Sequence, residues 1–237
     1  MRNEDDIMAV LESVLQMCSA DEAQVEYRSS NGLATRFADN AITQNIGGRD
    51  EEMCIEVAFG SSHGSATTNR LDEDALENAV DRAEEAAHTS PEDPEHVPLP
   101  GPQTYLTVPP RYDEDVAKLD PADMADGVEA AVKVADNADC TASGLYETDC
   151  RTRAVANSKG LCAFDRHSMV DFSTTVQGET GSGFWWSNDE SPHAVDPADA
   201  AERALETARS TEDPEPIGRG HYTVIFEPQA TFDLLQF

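Results

Sequence analysis

Gly60-Ser61-Ser62-His63-Gly64 satisfies G-x-S-x-G, the elbow that exposes a nucleophilic serine between a strand and a helix. The residues that follow, Ser65 to Asn69, read as a second strand rather than a helix, so the pentad is read as a hairpin loop. Gly178, Gly181 and Gly183 are spaced G-x-x-G-x-G, the wrong order for a dinucleotide fingerprint, and no helix opens after them. Backbone freedom at a turn accounts for them. The six histidines (63, 88, 96, 167, 193, 221) form no H-E-x-x-H or H-x-H motif and no Cys/His pair at ligand spacing. Asp165 and His167, two apart, share one face of a strand and read as a surface pair. Trp185 and Trp186 point to opposite faces if extended, one filling the core and the other placed to flank a groove that receives a peptide. With 47 Asp and Glu residues in the chain, acidic pairs arise too cheaply to identify a catalytic dyad. No catalytic, cofactor-binding or metal-ligating residue is assigned.

The charge excludes more than it identifies. The chain has 237 residues and a formal charge of −31, and only three of its 16 cationic side chains are Lys: Lys118, Lys133 and Lys159. Such a surface repels phosphate backbones and anionic headgroups, so neither nucleic acid nor a membrane surface is an expected partner. No apolar run approaches the roughly 18 residues of a spanning helix. The start, Met1-Arg2-Asn3-Glu4-Asp5-Asp6, is acidic where a signal peptide would be basic. Cys18, Cys54, Cys140, Cys150 and Cys162 are odd in number and lack a C-x-x-C pair, which fits reduced thiols and a cytoplasmic location. At molar salt the Debye length falls to about 3 Å, and crowded carboxylates stop repelling one another. Acid excess with almost no Lys therefore predicts a protein of a salt-accumulating halophile. Charge alone would also fit a disordered chain, but the apolar periodicity argues against it.

Ile7, Val10, Leu11, Val14, Leu15 and Cys18 follow helical spacing. Val25 to Arg28, a turn at Asn31-Gly32, Leu33 to Thr43 and Met53 to Phe59 read as strands and a hairpin. A helix carrying Leu71, Ala75, Leu76, Ala79, Val80, Ala83 and Ala87 comes next. Thr89 to Pro110 holds seven of the 13 prolines and reads as a connector, with Tyr105-Leu106-Thr107-Val108 as its one candidate strand. The order then repeats: a helix over Ala122 to Ala135, strands near Leu145 to Thr148 and Arg151 to Ala156, and a turn at Lys159-Gly160. Strands at Leu161 to Phe164, Val170 to Gln177 and Phe184 to Trp186 lead to a helix over Ala198 to Ala208.

The halves also match in sequence. Asn78-Ala79-Val80-Asp81-Arg82-Ala83 aligns with Asp199-Ala200-Ala201-Glu202-Arg203-Ala204, and Glu92-Asp93-Pro94-Glu95 with Glu212-Asp213-Pro214-Glu215. Ser30-Asn31-Gly32-Leu33 echoes Ser158-Lys159-Gly160-Leu161 less closely. The expected fold is α+β: duplicated helix–antiparallel sheet–helix units, about 1–95 and 115–218, with helices on one face. Whether the units share one sheet stays open at this point. A further strand, His221 to Phe226, and a helix from Gln229 are expected to begin another domain over 219–237, cut short at Leu234-Leu235-Gln236-Phe237.

Three strings in this order resemble the TldD/PmbA family of peptidases (the modulator of DNA gyrase type). They are Gly64-Ser65-Ala66-Thr67 with the Ala-rich helix ending Ala87-His88-Thr89-Ser90-Pro91-Glu92-Asp93-Pro94; Ala156-Asn157-Ser158-Lys159-Gly160; and Tyr222-Thr223-Val224-Ile225-Phe226-Glu227-Pro228. The likeness runs from about Val25 to the last residue. It implies a cytoplasmic peptidase built from two related subunits, one TldD-like with zinc in an H-E-x-x-x-H helix, the other PmbA-like (also called TldE) and lacking that motif. It also implies an N-terminal domain that helps form a channel, and an unfolded or leader peptide taken up as an added strand. The His-Glu pair would follow the last strand, where this chain reads Phe232-Asp233-Leu234-Leu235-Gln236-Phe237. The resemblance thus implies the PmbA-like subunit, without cofactor of its own, in a dimer with a zinc-bearing TldD-like partner. Two alternatives stand beside it: a stand-alone metallopeptidase whose zinc site lies in missing C-terminal sequence, and a non-enzymatic binding or regulatory module.

Overall fold

The computed structural model describes residues 2–106 and 108–236. Met1, Thr107 of the expected connector strand and the final Phe237 lie outside the described residues. Helix α1 (Glu4–Met17) begins where the Asn3 side chain accepts the Asp6 N–H at 2.7 Å, with Glu4, Asp5 and Asp6 in the positive first turn. It leads into strands β1 (Glu22–Ala38), β2 (Ala41–Phe59) and β3 (Ser62–Thr68), then helix α2 (Glu73–Thr89). After the connector come α3 (Pro121–Asp136), β4 (Thr141–Asn157), β5 (Cys162–Gln177), β6 (Ser182–Asp189) and α4 (Pro197–Ser210). Asp120 starts α3 with a reciprocal capping box to Asp123, and Asp196 caps α4 by accepting the Ala198 and Asp199 N–H groups. A last helix, α5, spans Pro228–Gln236.

All pairings between strands are antiparallel, and the six strands form one sheet in the order β3-β2-β1-β4-β5-β6. The halves therefore meet strand to strand at β1 and β4, with Gln24 opposite Asn157 and Phe37 opposite Gly144. The four long helices cover one face. Apolar side chains of α1 and α2 (Ile7, Leu11, Val14, Leu76, Val80) pack on Val25, Tyr27, Met53, Ile55 and Val57, and this core also takes Ala154 and Ala156 from β4. The core under α3 and α4 (Met124, Val128, Leu205) likewise takes Phe37 from β1. Each half completes its core with residues of the other, which is why the sheet is continuous.

The structure corrects four local expectations. Asn31-Gly32 is no turn: β1 runs straight through it. Gly32 is needed there for close approach, because a Cβ would stand 2.7 Å from the Thr148 carbonyl oxygen. The reversal falls instead at Asp39 and Asn40, both with positive φ (50° and 61°), where the Asn40 side chain bonds the Cys140 carbonyl and the Ala142 N–H. The expected pairs of short strands at 145–156 and at 161–177 are each a single long strand. The described residues of Tyr105 to Val108 pair with nothing, and the connector touches the sheet edge later, where Arg111 bridges His167 in parallel. His221 to Phe226 is no strand either: its residues are exposed and lie beside no partner strand. The turn at Lys159-Gly160 is where expected, with Gly160 at φ 90°.

Candidate functional site

The sheet face away from the helices is the surface the strands build for solvent or a ligand. Period-two alternation places Gln24, Glu26, Arg28, Arg151, Arg153, Asp165 and His167 on it. Pairing makes a charged row across four strands, Glu52–Arg28–Arg153–Asp165, followed by Asp50–Ser30–Arg151–His167. The two arginines opposite each other would repel. Glu26 reconciles them: Arg28 donates two hydrogen bonds to its carboxylate, both at 2.8 Å, and Arg153 donates another. The Glu26 side chain is only 12% exposed, and these guanidinium bonds, Arg28's first, hold its carboxyl below the usual range. A cleft of about 540 Å³ lies over these rows.

Near the edge, burial raises the Asp171 carboxyl even though Trp186 Nε1 donates to it at 2.5 Å. The two tryptophans divide as their alternation requires. Trp185 packs on the core beneath the Arg203 guanidinium, 4.9 Å from the ring centre, while Trp186 and Phe184 stand exposed on the open face.

The connector encloses a second cleft, about 550 Å³, at the corner where β1, β2 and β3 meet. Val97 and Leu99 roof it, with Glu22, Gln24, Glu56, His63 and Ser65 beneath. The strap is fastened at several points. The Asp93 N–H donates to the Ser61 carbonyl, the His96 ring meets the His63 ring nitrogen at 2.8 Å, and the Leu99 N–H donates to Glu22. Asn157 Nδ2 then holds the Pro100 carbonyl. The Leu99 N–H and Lys159 keep the Glu22 carboxyl ionised to unusually low pH, against the cost of its burial.

The residues singled out by motif are not assembled into catalytic machinery. Ser62 and His63 belong to β3, and Gly64 is pressed against α2, so the elbow pattern is a hairpin. Gly178 closes the β5–β6 turn through its N–H to the Gly181 carbonyl, 2.9 Å away. His88 stacks on Phe59, His167 stands 3.7 Å from Asp165, and His193 bonds Asp115 at 3.1 Å. Among the described residues no serine hydroxyl or cysteine thiol bonds a histidine ring. The five cysteines are unpaired, and burial pushes the Cys18 and Cys150 thiols up to about 11. Among the described residues no three His, Cys, Asp or Glu side chains are placed to hold a metal ion, so the donor set for a zinc site does not fit here. No described helix is long and apolar enough to cross a membrane.

Glu22, Glu26 and His96 escape motif reading because each has a distant partner: Leu99 lies 77 residues from Glu22, Arg153 lies 127 from Glu26 and His63 lies 33 from His96. Strand alternation alone would have put Gln24, Glu26 and Arg28 on one face.

The fold and its open face define a class: a duplicated α+β domain with a long charged sheet surface suited to binding. Residues 23–87 match PmbA/TldA metallopeptidase domain 1, and residues 111–212 match the PmbA/TldA metallopeptidase central domain. The chain belongs to the PmbA/TldD family. It is similar in fold to TldE from Thermococcus kodakarensis, with a TM-score of 0.75 and 18% identity over 86% of this chain and 47% of that one. A protein from Thermotoga maritima described as a modulator of DNA gyrase matches with TM-score 0.76 and 16% identity, over 90% and 50% of the two chains. Another so described, from Bacteroides thetaiotaomicron, gives 0.76 and 18% identity over 100% and 56%. The chain spans about half the length of these structures. No curated protein matches it.

Proposed function

We propose that this chain is the PmbA/TldE-like subunit of a cytoplasmic peptidase assembly, working without a metal site of its own beside a zinc-bearing TldD-like subunit. The observation that carries this reading is the match of two successive family domains to the two halves of one sheet. The fold likeness to an archaeal TldE agrees with it. Zinc in the partner would activate water and polarise the scissile carbonyl; this chain's part is to present an unfolded or leader peptide along its sheet. Residues 219–237 then open a further domain, after a first domain over 1–218. The excess of carboxylates over cations suits a cytoplasm rich in salt.

Purification of the tagged protein from its native host in molar KCl tests the pairing. The expected result is recovery of a zinc-bearing relative, with zinc following that relative after the two are separated. A lone, metal-free chain would overturn the reading. Stoichiometric zinc in this protein alone would favour a stand-alone metallopeptidase, an alternative supported by the half-length coverage of the structures it matches.

A further inference from the structure

The sheet has four stretches of outer edge, and three of them have at least one outward backbone group engaged. On β3, the Thr67 carbonyl accepts from Arg82 of α2 and the neighbouring Ser61 carbonyl accepts the Asp93 N–H. On β6, Thr211 bonds both the N–H and the carbonyl of Ser182. On β5, beyond the reach of β6, the Ser168 N–H donates to the Arg111 carbonyl and the Ser168 hydroxyl receives the Asp113 N–H. The extended segment at 111–113 thus covers the His167–Ser168 end of that edge. The fourth stretch is its counterpart in the other half. β3 covers β2 only from Met53 to Phe59, leaving Ala41 to Glu52 paired with β1 on one side alone. Among the described residues no backbone group of that stretch bonds anything beyond β1.

This edge runs roughly 40 Å, at about 3.3 Å per residue. Natural edges of such length are blunted by charge, proline or a covering element. Here Ala41 to Gly48 carry no charge, in a chain of −31, and Ile42 and Ile46 are exposed. Added bulk at Gly48 would meet nothing within 4 Å. Where β3 ends, Asp50, Glu51 and Glu52 gather beside Thr67, Thr68 and Asn69 in a notch. Arg2 and Arg49 pair with Glu51, while Asp50 has no ion pair among the described residues.

We propose that the free edge of β2 receives an extended peptide as an antiparallel strand in line with β3, its amino terminus at the Asp50–Glu52 notch. Antiparallel addition brings the peptide's first residue beside Glu52, so its ammonium group meets the carboxylates. The uncharged stretch beyond accepts main-chain hydrogen bonds with little demand on side chains. A second copy of the chain fits less well: it would leave the notch unmatched and bring another −31 alongside. The proposal rests on the peptide-handling reading above and names the edge that does it.

The probe is a ten-residue peptide of alternating Ser and Val with a free amine and an amidated carboxyl end. It is titrated into the isotope-labelled chain at the lowest KCl that keeps the chain folded. Amide shifts confined to 41–52 and 67–69 are expected. Acetylating the peptide amine, or D50N together with E52Q, should weaken binding about threefold or more. N-methylation at alternate positions should abolish binding on one phase and spare it on the other. Shifts at Ser182–Asp189, shifts beneath the connector, or none at millimolar peptide would overturn the proposal. So would edge shifts that follow protein concentration and not peptide, which would mark a second copy as the occupant. G48K, an edge lysine with room for its side chain, should keep the melting temperature and lose the peptide shifts. If an assembly carrying G48K cleaves peptides at the normal rate, the edge assignment fails and the subunit reading stands. If no zinc-bearing partner is recovered, the subunit reading fails whatever the edge does.

Discussion

Glu26 shows how one side chain organises the open face. Two arginines on neighbouring strands can stand opposite each other only because a nearly buried carboxylate accepts from both. Its pKa is lowered in the folded state, so the stabilisation is complete above the unfolded carboxyl value near 4.5 and disappears as pH falls through the lower folded value. E26Q should therefore destabilise the chain by about 1–3 kcal/mol at neutral pH, the range for a hydrogen-bonded charged group. The gap between the two proteins should narrow as pH falls below about 4.5 and close once it passes the lower folded value. Urea melts of both proteins at a series of pH values measure it, and a gap that persists at low pH would assign the effect to shape rather than charge.

Among the elements, the duplicated helix–strand contact is the most tightly specified. A Cβ on Gly64 would lie 2.1 Å from the Ala83 carbonyl oxygen, and one on Gly183 would lie 2.0 Å from that of Ala204. Ala83 and Ala204 are the aligned residues of the repeat, so the sequence similarity records one packing solution used twice. G64A and G183A should each cost about 3 kcal/mol or somewhat more, at the upper end for overpacking against unyielding backbone. G48A, with open space around it, should change stability by less than about 0.5 kcal/mol. Thermal melts of the three variants check this, and equal effects at all three positions would contradict the account. Those same contacts mark what was legible in advance. Helical periodicity located α1 to α4 because each buries a single stripe of small or branched side chains. The turn at Gly160 was legible for its conformational demand. Gly32 misled because a glycine that admits a neighbouring carbonyl looks, in one dimension, like a glycine that turns the chain. The length of β4 and β5 was hidden by the polar residues of the open face, and Glu22 and Glu26 by partners far along the chain.

At the scale of the molecule, two similar halves share a sheet, trade core residues and leave one charged face open, and the stretch Ala41 to Glu52 has no backbone bond beyond β1 among the described residues. Exposed α2 alone presents Glu73, Asp74, Glu77, Asp81, Glu84 and Glu85, with His88 and Arg82 its only basic residues. Lowering KCl from molar to millimolar should therefore reduce the melting temperature by about 10 °C or more, or roughly 3–5 kcal/mol for this length. An unchanged melting temperature would remove the salt-adapted reading. The central claim is that this chain serves a zinc peptidase as a partner. The most direct measurement is hydrolysis of an unfolded peptide by the full-length protein, by its zinc-bearing relative and by their mixture in molar KCl. Cleavage by the mixture, absent or at least tenfold slower with either alone, is the predicted result. Full activity of the relative alone, unchanged by this protein, would contradict it.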